Sequence, residues 1–219
     1  MSNNFKLITK FPIAKDSPDH TRPLGTRLDS SRSNRYLQKC EEWLSQHDKQ
    51  SGVILDLGCA GGGCVEDFVN KGYDAYGLEG SNYSQKRKRS AWRTIPDRLF
   101  TCDVSRPFTI MRGEEILKFD IIQSFEVMEH IKRKRLKFFF KNIHKHMKDD
   151  GIFIGSFSTR KGGWKYHQTV MNKDKWMQYI EQLGIFEFVQ LEWEWNDYLR
   201  KSENKALCIP VVLRKLHKS

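Results

Sequence analysis

Two rhythms of apolar residues alternate along the chain. Short aliphatic runs near Val53–Asp56, Ala75–Leu78, Leu99–Cys102, Phe119–Ser124 and Ile152–Phe157 have the length and continuity of strands buried on both faces. Between them, apolar residues recur at helical spacing near Cys64–Asn70, Ser84–Ala91, Lys134–His146 and Lys173–Gln182. An earlier helix carries Tyr36, Leu37, Cys40, Trp43 and Leu44, with Ser31 or Ser33 placed to cap it. Strand and helix in alternation predict a parallel sheet covered on both faces.

The two ends of the chain break this rhythm. Pro12, Pro18, Pro23, Gly25 and the serines around Ser30 predict an irregular arm over residues 1–30, ahead of a single domain over 31–219. Near the other end, Phe186–Trp193 and Ala206–Leu213 follow each other with no ordinary helix between them, so they are expected to pair antiparallel. Pro210 lacks a donor for the ladder and favours an edge or a bulge. Phe138–Phe140 and Trp193 with Trp195 read as core, and His144 and His146 as surface residues.

The most informative junction follows the first run. Asp56 closes it, and Gly58-Cys59-Ala60-Gly61-Gly62-Gly63 then opens a helix. Such a turn lets backbone lie close to a ligand. A carboxylate directly before it favours a positively charged ligand over a pyrophosphate, which points to S-adenosylmethionine (SAM), a sulfonium with an α-amino group. Acids also follow the next three runs, at Glu79, Asp103 and Glu126. In an open parallel sheet, ligands lie beyond these strand ends. Glu79, about 20 residues past the turn, stands where an acid accepts from ribose hydroxyls. Asp103 is placed for an adenine amino group and Asp56 for the methionine amino end, with Gly58, Ala60 and Gly62 lining the close approach. Cys59, Gly80, Ser81, Cys102, Val104 and Ser124 are expected beside the cofactor by position.

This set resembles the class I SAM-dependent methyltransferases over most of residues 50–215. The matching segments are Asp-Leu-Gly-Cys-x-Gly-Gly, Gly-Leu-Glu-Gly-Ser, Cys-Asp-Val and Phe-Asp-x-Ile-x-Ser-x-Glu-Val-Met-Glu-His-Ile. The resemblance implies an α/β, Rossmann-like doubly wound, mostly parallel seven-stranded sheet with an antiparallel last strand and helices on both faces. Ala60 stands where the family usually has glycine. The resemblance also implies that the arm, with Pro18–His20 and Gly25–Asp29, caps the cofactor and excludes water from the site. Gly58-x-Ala60-x-x-Gly63 also fits a looser dinucleotide fingerprint, but Asp56, Asp103 and the Glu126 segment have no natural place in that reading. A non-catalytic Rossmann-like binding protein is a further alternative, and the ordered acids argue against it.

Glu126-Val-Met-Glu129-His130 resembles a segment of the ubiquinone-type O-methyltransferases and of the small-RNA 3′-terminal ribose methyltransferases, where it supplies metal ligands. His167, followed by Trp176, matches a further histidine of the RNA group in order and spacing. The resemblance therefore implies Glu126, Glu129, His130 and His167 as a ligand set for Mg, Mn, Fe or Co. Without an ion, His130 or His167 remains as a general base. The expected reaction is methylation of a small-molecule or sugar hydroxyl, with Glu126, His130 and His167 catalytic. The ribose of RNA is the alternative acceptor.

Composition then narrows the setting. With 219 residues and 38% hydrophobic content, the chain suits one full-sized core. No run is long and apolar enough to span a bilayer, and the first residues lack a signal-peptide core, so a soluble, cytoplasmic protein without a membrane partner is expected. Five cysteines without a Cys-x-x-Cys pair argue against a disulfide framework or a thiolate zinc site. The net charge of +11 is compatible with a phosphate-bearing partner. Much of it lies in Lys86–Arg89 and Lys132–Arg135, each placed near the start of a predicted helix, where a solvated face is the simpler explanation.

Overall fold

A computed structural model describes residues 5–18, 20–21, 32–159, 166–194 and 208–216. Its central sheet is assembled from β2 (Val53–Leu57), β3 (Asp74–Glu79), β4 (Leu99–Thr101), β7 (Phe119–Ser124), β8 (Met147–Ser158), β9 (Phe186–Phe188) and β10 (Cys208–Lys215). The spatial order is β4-β3-β2-β7-β8-β10-β9, and β10 runs antiparallel to both of its neighbours. This is the doubly wound sheet implied by the sequence.

Alternation along each strand sends side chains to two cores, one per face. Leu55, Leu57, Tyr76, Leu78, Ile122 and Phe153 pack on one side with α5 (Arg133–His146) and α6 (Lys173–Glu181). Ile54, Ala75, Ile121, Ile152 and Ile154 pack on the other with α1 (Asn34–Gln46), α2 (Gly63–Asn70) and α4 (Ala91–Thr94). Ser33 caps α1 by accepting from the Tyr36 amide at 3.3 Å. Asn172 caps α6 in the same way through Lys175.

The structure corrects the expected arm. Phe5–Thr9 forms β1, antiparallel to β5 (Phe108–Arg112), which pairs in turn with β6 (Glu115–Ile116). Phe5 stacks on Tyr76 and Phe100, both at 4.3 Å between centroids. The prolines that suggested irregular chain all lie beyond this strand. Pro18 and residues 20–21 are described; Asp19 and Gly25–Asp29 fall outside the described residues, as does Trp195.

Other boundaries shift for local reasons. The helix expected over Ser84–Ala91 is two single turns, α3 (Tyr83–Lys86) and α4, because Lys88 and Ser90 take φ values of 48° and 47°. Lys86–Arg89 therefore ends a helix rather than starting one. The strand expected over Phe186–Trp193 stops at Phe188, so Trp193 lies outside it but still packs on the core. Pro210 pairs with Ser156 on its β8 side, whereas β9 pairs only with Leu213–Lys215, so no ladder donor is required of it on the other side. His146 is fully buried, not exposed: its Nδ1 faces the Asn142 carbonyl at 2.8 Å and its Nε2 accepts from the Ile110 amide at 3.0 Å. The Ile110 contact fastens the small sheet to α5, and the Asn142 contact, within the helix, orients the ring for it.

Candidate active site

The turn after β2 folds back onto β3. Gly58 and Cys59 both donate to the Leu78 carbonyl, at 2.7 and 3.1 Å, while Gly62 donates to Cys59 at 2.7 Å. Gly58, Ala60 and Gly62 have φ values of 86°, 51° and 78°. The need for glycine comes from the protein itself. A Cβ on Gly58 would lie 2.3 Å from Val127 Cγ2, and one on Gly62 would lie 2.5 Å from Leu99 Cδ1. Ala60 adopts the same left-handed backbone despite its side chain.

Glu79 is gripped by this turn. One carboxylate oxygen accepts from the Ala60 amide at 2.8 Å, the other from Ser81 at 2.9 Å. Asp56 is buried at the end of β2, and burial pushes its carboxyl up to about 7; a hydrogen bond with Gln123 opposes the rise and the nearby Glu79 charge adds to it. Cys59 and Cys64 share this surrounding, and burial followed by the Asp56 charge raises both thiols well above their usual range. Both are buried and pack in the core beside the turn. Ser124 donates to the Leu57 carbonyl at 2.8 Å, which locks β7 to β2 at the turn.

Asp103 lies past β4 and accepts from the Ser105 amide and hydroxyl at 3.0 and 2.5 Å. Its other oxygen is 3.8 Å from Arg135, which also pairs with Asp16. Residues 11–16 run across this end of the sheet. Ala14 donates to the Gly80 carbonyl and Asp103 donates to Phe11, each at 2.8 Å. A Cβ on Gly80 would meet Ala14 at 2.8 Å. Cys102 and Val104 are buried beneath, with the Cys102 thiol pushed to about 12 by burial.

Beyond β7, the expected helical turn is a 3-10 turn over Met128–His130 only. Glu126 precedes it with φ of 53°, its amide donating to Ser156 Oγ at 3.1 Å. Of the four residues expected together, Glu129, His130 and His167 offer ligand atoms within 4.8 Å of one another, and Glu126 stands outside that group. The two imidazole rings meet edge to face at 5.1 Å. Glu129 is 1% exposed, and its Oε2 has no hydrogen-bond partner among the described residues. Burial, reinforced by the Glu126 charge, pushes its carboxyl up to about 8 against the pull of backbone amides. Tyr36 and Phe125 stand edge to face at 5.1 Å, with Trp193 6.2 Å from Tyr36.

Sequence reasoning missed several contributors. Gln123 had a signal, as a polar residue inside the apolar run Phe119–Ser124. Val127, Gln168 and Thr169 had none, because their roles come from contacts across the fold; Arg135 stood out only as part of the basic run Lys132–Arg135, and its pairing with Asp16 and Asp103 is set by the fold.

A mostly parallel α/β sheet with carboxylates ordered along its strand ends places the chain among the Rossmann-like proteins, whose ligands bind beyond the carboxyl ends of the strands. The chain belongs to the methyltransferase domain family, whose model matches residues 28–200. It is similar to the sphingolipid C9-methyltransferase of Komagataella phaffii, 23% identical over 67% of this chain and 32% of that protein. It is also similar to N-methyltransferase 4 of Papaver somniferum, 25% identical over 74% of this chain and 44% of that one. The matched region thus spans less than half the length of either relative. Among solved structures, a SAM-dependent methyltransferase from Clostridium acetobutylicum superposes with a TM-score of 0.60 at 15% identity, covering 84% of this chain and 92% of that chain. The glycopeptide N-methyltransferase MtfA, solved with SAM, gives 0.53 at 12% identity, covering 85% and 93%. Both share the fold. No helix among the described residues is long and apolar enough to cross a membrane.

Proposed function

We propose that this enzyme methylates a hydroxyl oxygen of a small molecule or sugar, with SAM laid along the strand ends and the acceptor presented at Glu129, His130 and His167. The observation that carries this reading is the buried Glu129 oxygen without a hydrogen-bond partner, grouped with two imidazoles beyond β7. Asp56 and Glu79 form a desolvated acidic pair, which favours a ligand with positive charge. In this arrangement Asp56 faces the methionine amino end, Glu79 the ribose and Asp103 the adenine. The residues past Thr9 cover the adenosine side and exclude water there.

Transfer is a single displacement. The acceptor oxygen forms a bond to the methyl carbon while the carbon–sulfur pair returns to sulfur, which leaves as a neutral thioether. The hydroxyl proton goes to a neutral imidazole, His130 or His167. One carboxylate with two imidazoles also suits a divalent ion, and two nitrogens to one oxygen weigh toward Fe or Co over Mg. Such an ion would lower the pKa of a bound hydroxyl. Glu129, His130 and His167 would hold it, and Glu126 would act on the group through its charge.

Labelled methyl transfer to RNA, glycan and small-molecule fractions of a cell extract, with and without chelator, tests the acceptor. Label found on nitrogen or carbon when the methylated product is identified would overturn the oxygen reading. Loss of label on chelation, restored by a divalent ion, supports the ion; full activity after exhaustive chelation with no metal by elemental analysis removes it. SAM binding is expected in the micromolar range, about −8 kcal/mol, and Glu79→Ala should weaken it.

One observation favours RNA as a second reading: Lys86, Arg87 and Lys88 are exposed together, with Arg87 over the Tyr83 ring. In the other basic run, Arg135 is already committed to Asp16 and Asp103. An RNA acceptor would show log K falling with log salt by about 0.7 per phosphate contacted. A small neutral acceptor would show almost none.

A further inference from the structure

The chain that follows His167 is clamped to the turn that carries Glu129 and His130. The amides of Gln168 and Thr169 both donate to the Glu129 carbonyl, at 2.8 and 3.0 Å. Gln168 Nε2 donates to the His130 carbonyl at 2.7 Å, and Thr169 Oγ1 donates to the Ile131 carbonyl at 2.6 Å. Three consecutive carbonyls at the exit of the 3-10 turn are thereby satisfied from a single loop. A short turn leaves such carbonyls without intrahelical partners, and here their partners come from residues adjoining a functional histidine. Thr169 is 3% exposed, so water does not compete effectively for its hydroxyl contact.

The clamp has a geometric consequence. Glu129 and His130 issue from the residues whose carbonyls are held, and His167 is the immediate neighbour of Gln168. Fixing these backbones against each other sets the separation of all three functional side chains. We propose that Gln168 and Thr169 are positioning residues, whose side-chain hydrogen bonds hold His167 against His130 and Glu129. This rests on the reading of that group as the acceptor site. It adds that the site's geometry depends on two residues outside the Glu129, His130 and His167 group. Misplacement by about 1 Å is enough to cost on the order of 100-fold in rate.

The test compares the wild type with Thr169→Val, Thr169→Ser and the Gln168→Leu/Thr169→Val pair, all in the full chain and treated with chelator. The primary readout is the NMR cross-peak between ring protons of His130 and His167. The wild type and Thr169→Ser should show it; Thr169→Val should weaken it and the double variant should lose it, with SAM affinity unchanged in all four proteins. Because SAM binding reports an intact fold, loss of the cross-peak with SAM affinity retained separates positioning from general destabilisation. A wild-type cross-peak in the double variant overturns the proposal. If the double variant fails to fold, Thr169→Val alone decides by the same criterion. A parallel titration with Co²⁺ reads the ion separately: Thr169→Val should weaken binding by roughly 10-fold or more, the range for outer-shell partners of a metal ligand, and Thr169→Ser should restore it. Wild-type protein that binds no Co²⁺ ends the ion reading, while the cross-peak still decides the positioning role.

Discussion

Val127 occupies the space that a side chain on Gly58 would need, its Cγ2 standing 2.3 Å from where a Cβ would be. The turn after β2 is therefore packed against the segment leading from β7 to Glu129 and His130. A change in either is expected to be felt in the other.

Gly58→Ala should destabilise the protein by about 2–4 kcal/mol, from the left-handed backbone and from overpacking together. Val127→Ala in the same chain should relieve the steric part and leave the backbone part. A double-mutant cycle by chemical denaturation should then give a coupling of about 1 kcal/mol or more. Strictly additive losses would show that Val127 is not the obstacle.

Ala60→Gly is the opposite case. Ala60 holds φ of 51° with a Cβ in place, so removing that Cβ relieves strain while raising the entropy of the unfolded chain. The expected net gain is up to about 1 kcal/mol, with the Ala60 amide still able to donate to Glu79. A denaturation midpoint lower than wild type would contradict this.

SAM affinity should depend on pH through Asp56. With its carboxyl pushed up to about 7, this group is protonated in much of the free enzyme below that pH, and pairing with a cationic ligand requires the ionised form. Affinity should be flat well above 7 and fall as pH drops below it, by up to about tenfold per unit. Calorimetry across pH 5.5–8.5 checks the slope, and Asp56→Asn should flatten it while weakening binding.

His146 makes the fold sensitive to acid. Burial, with the charges of Lys145 and Lys118, lowers its pKa to about 4 from an ordinary 6.5, despite the hydrogen bond with Asn142. Below 6.5 the unfolded chain takes up a proton that the folded chain refuses, so stability falls with pH down to about 4 and the loss then levels off. The full effect is about 3 kcal/mol. Denaturation at pH 7 and pH 4.5 should show it, and His146→Gln should reduce the pH dependence while costing stability at pH 7.

The alternating sheet and helices, and the acids at successive strand ends, are legible in the chain alone. A strand buried on both faces is mostly apolar, so an acid at or just past the end of such a run stands out in the sequence, even though β7 also buries Asp120, Gln123 and Ser124. Asp56, Glu79, Asp103 and Glu126 are such acids. The rest depends on residues remote in sequence. Phe5–Thr9 becomes a strand because β5 offers it an edge, His146 is buried because that hairpin covers it, and Gly58 must be glycine because Val127 is there. Glu126 separates from Glu129 and His130 because its backbone turns to positive φ, whereas His167 joins them through carbonyls that Gln168 and Thr169 satisfy. No periodicity encodes such contacts: each is selected by packing and hydrogen-bond satisfaction between segments that meet only after the chain has folded.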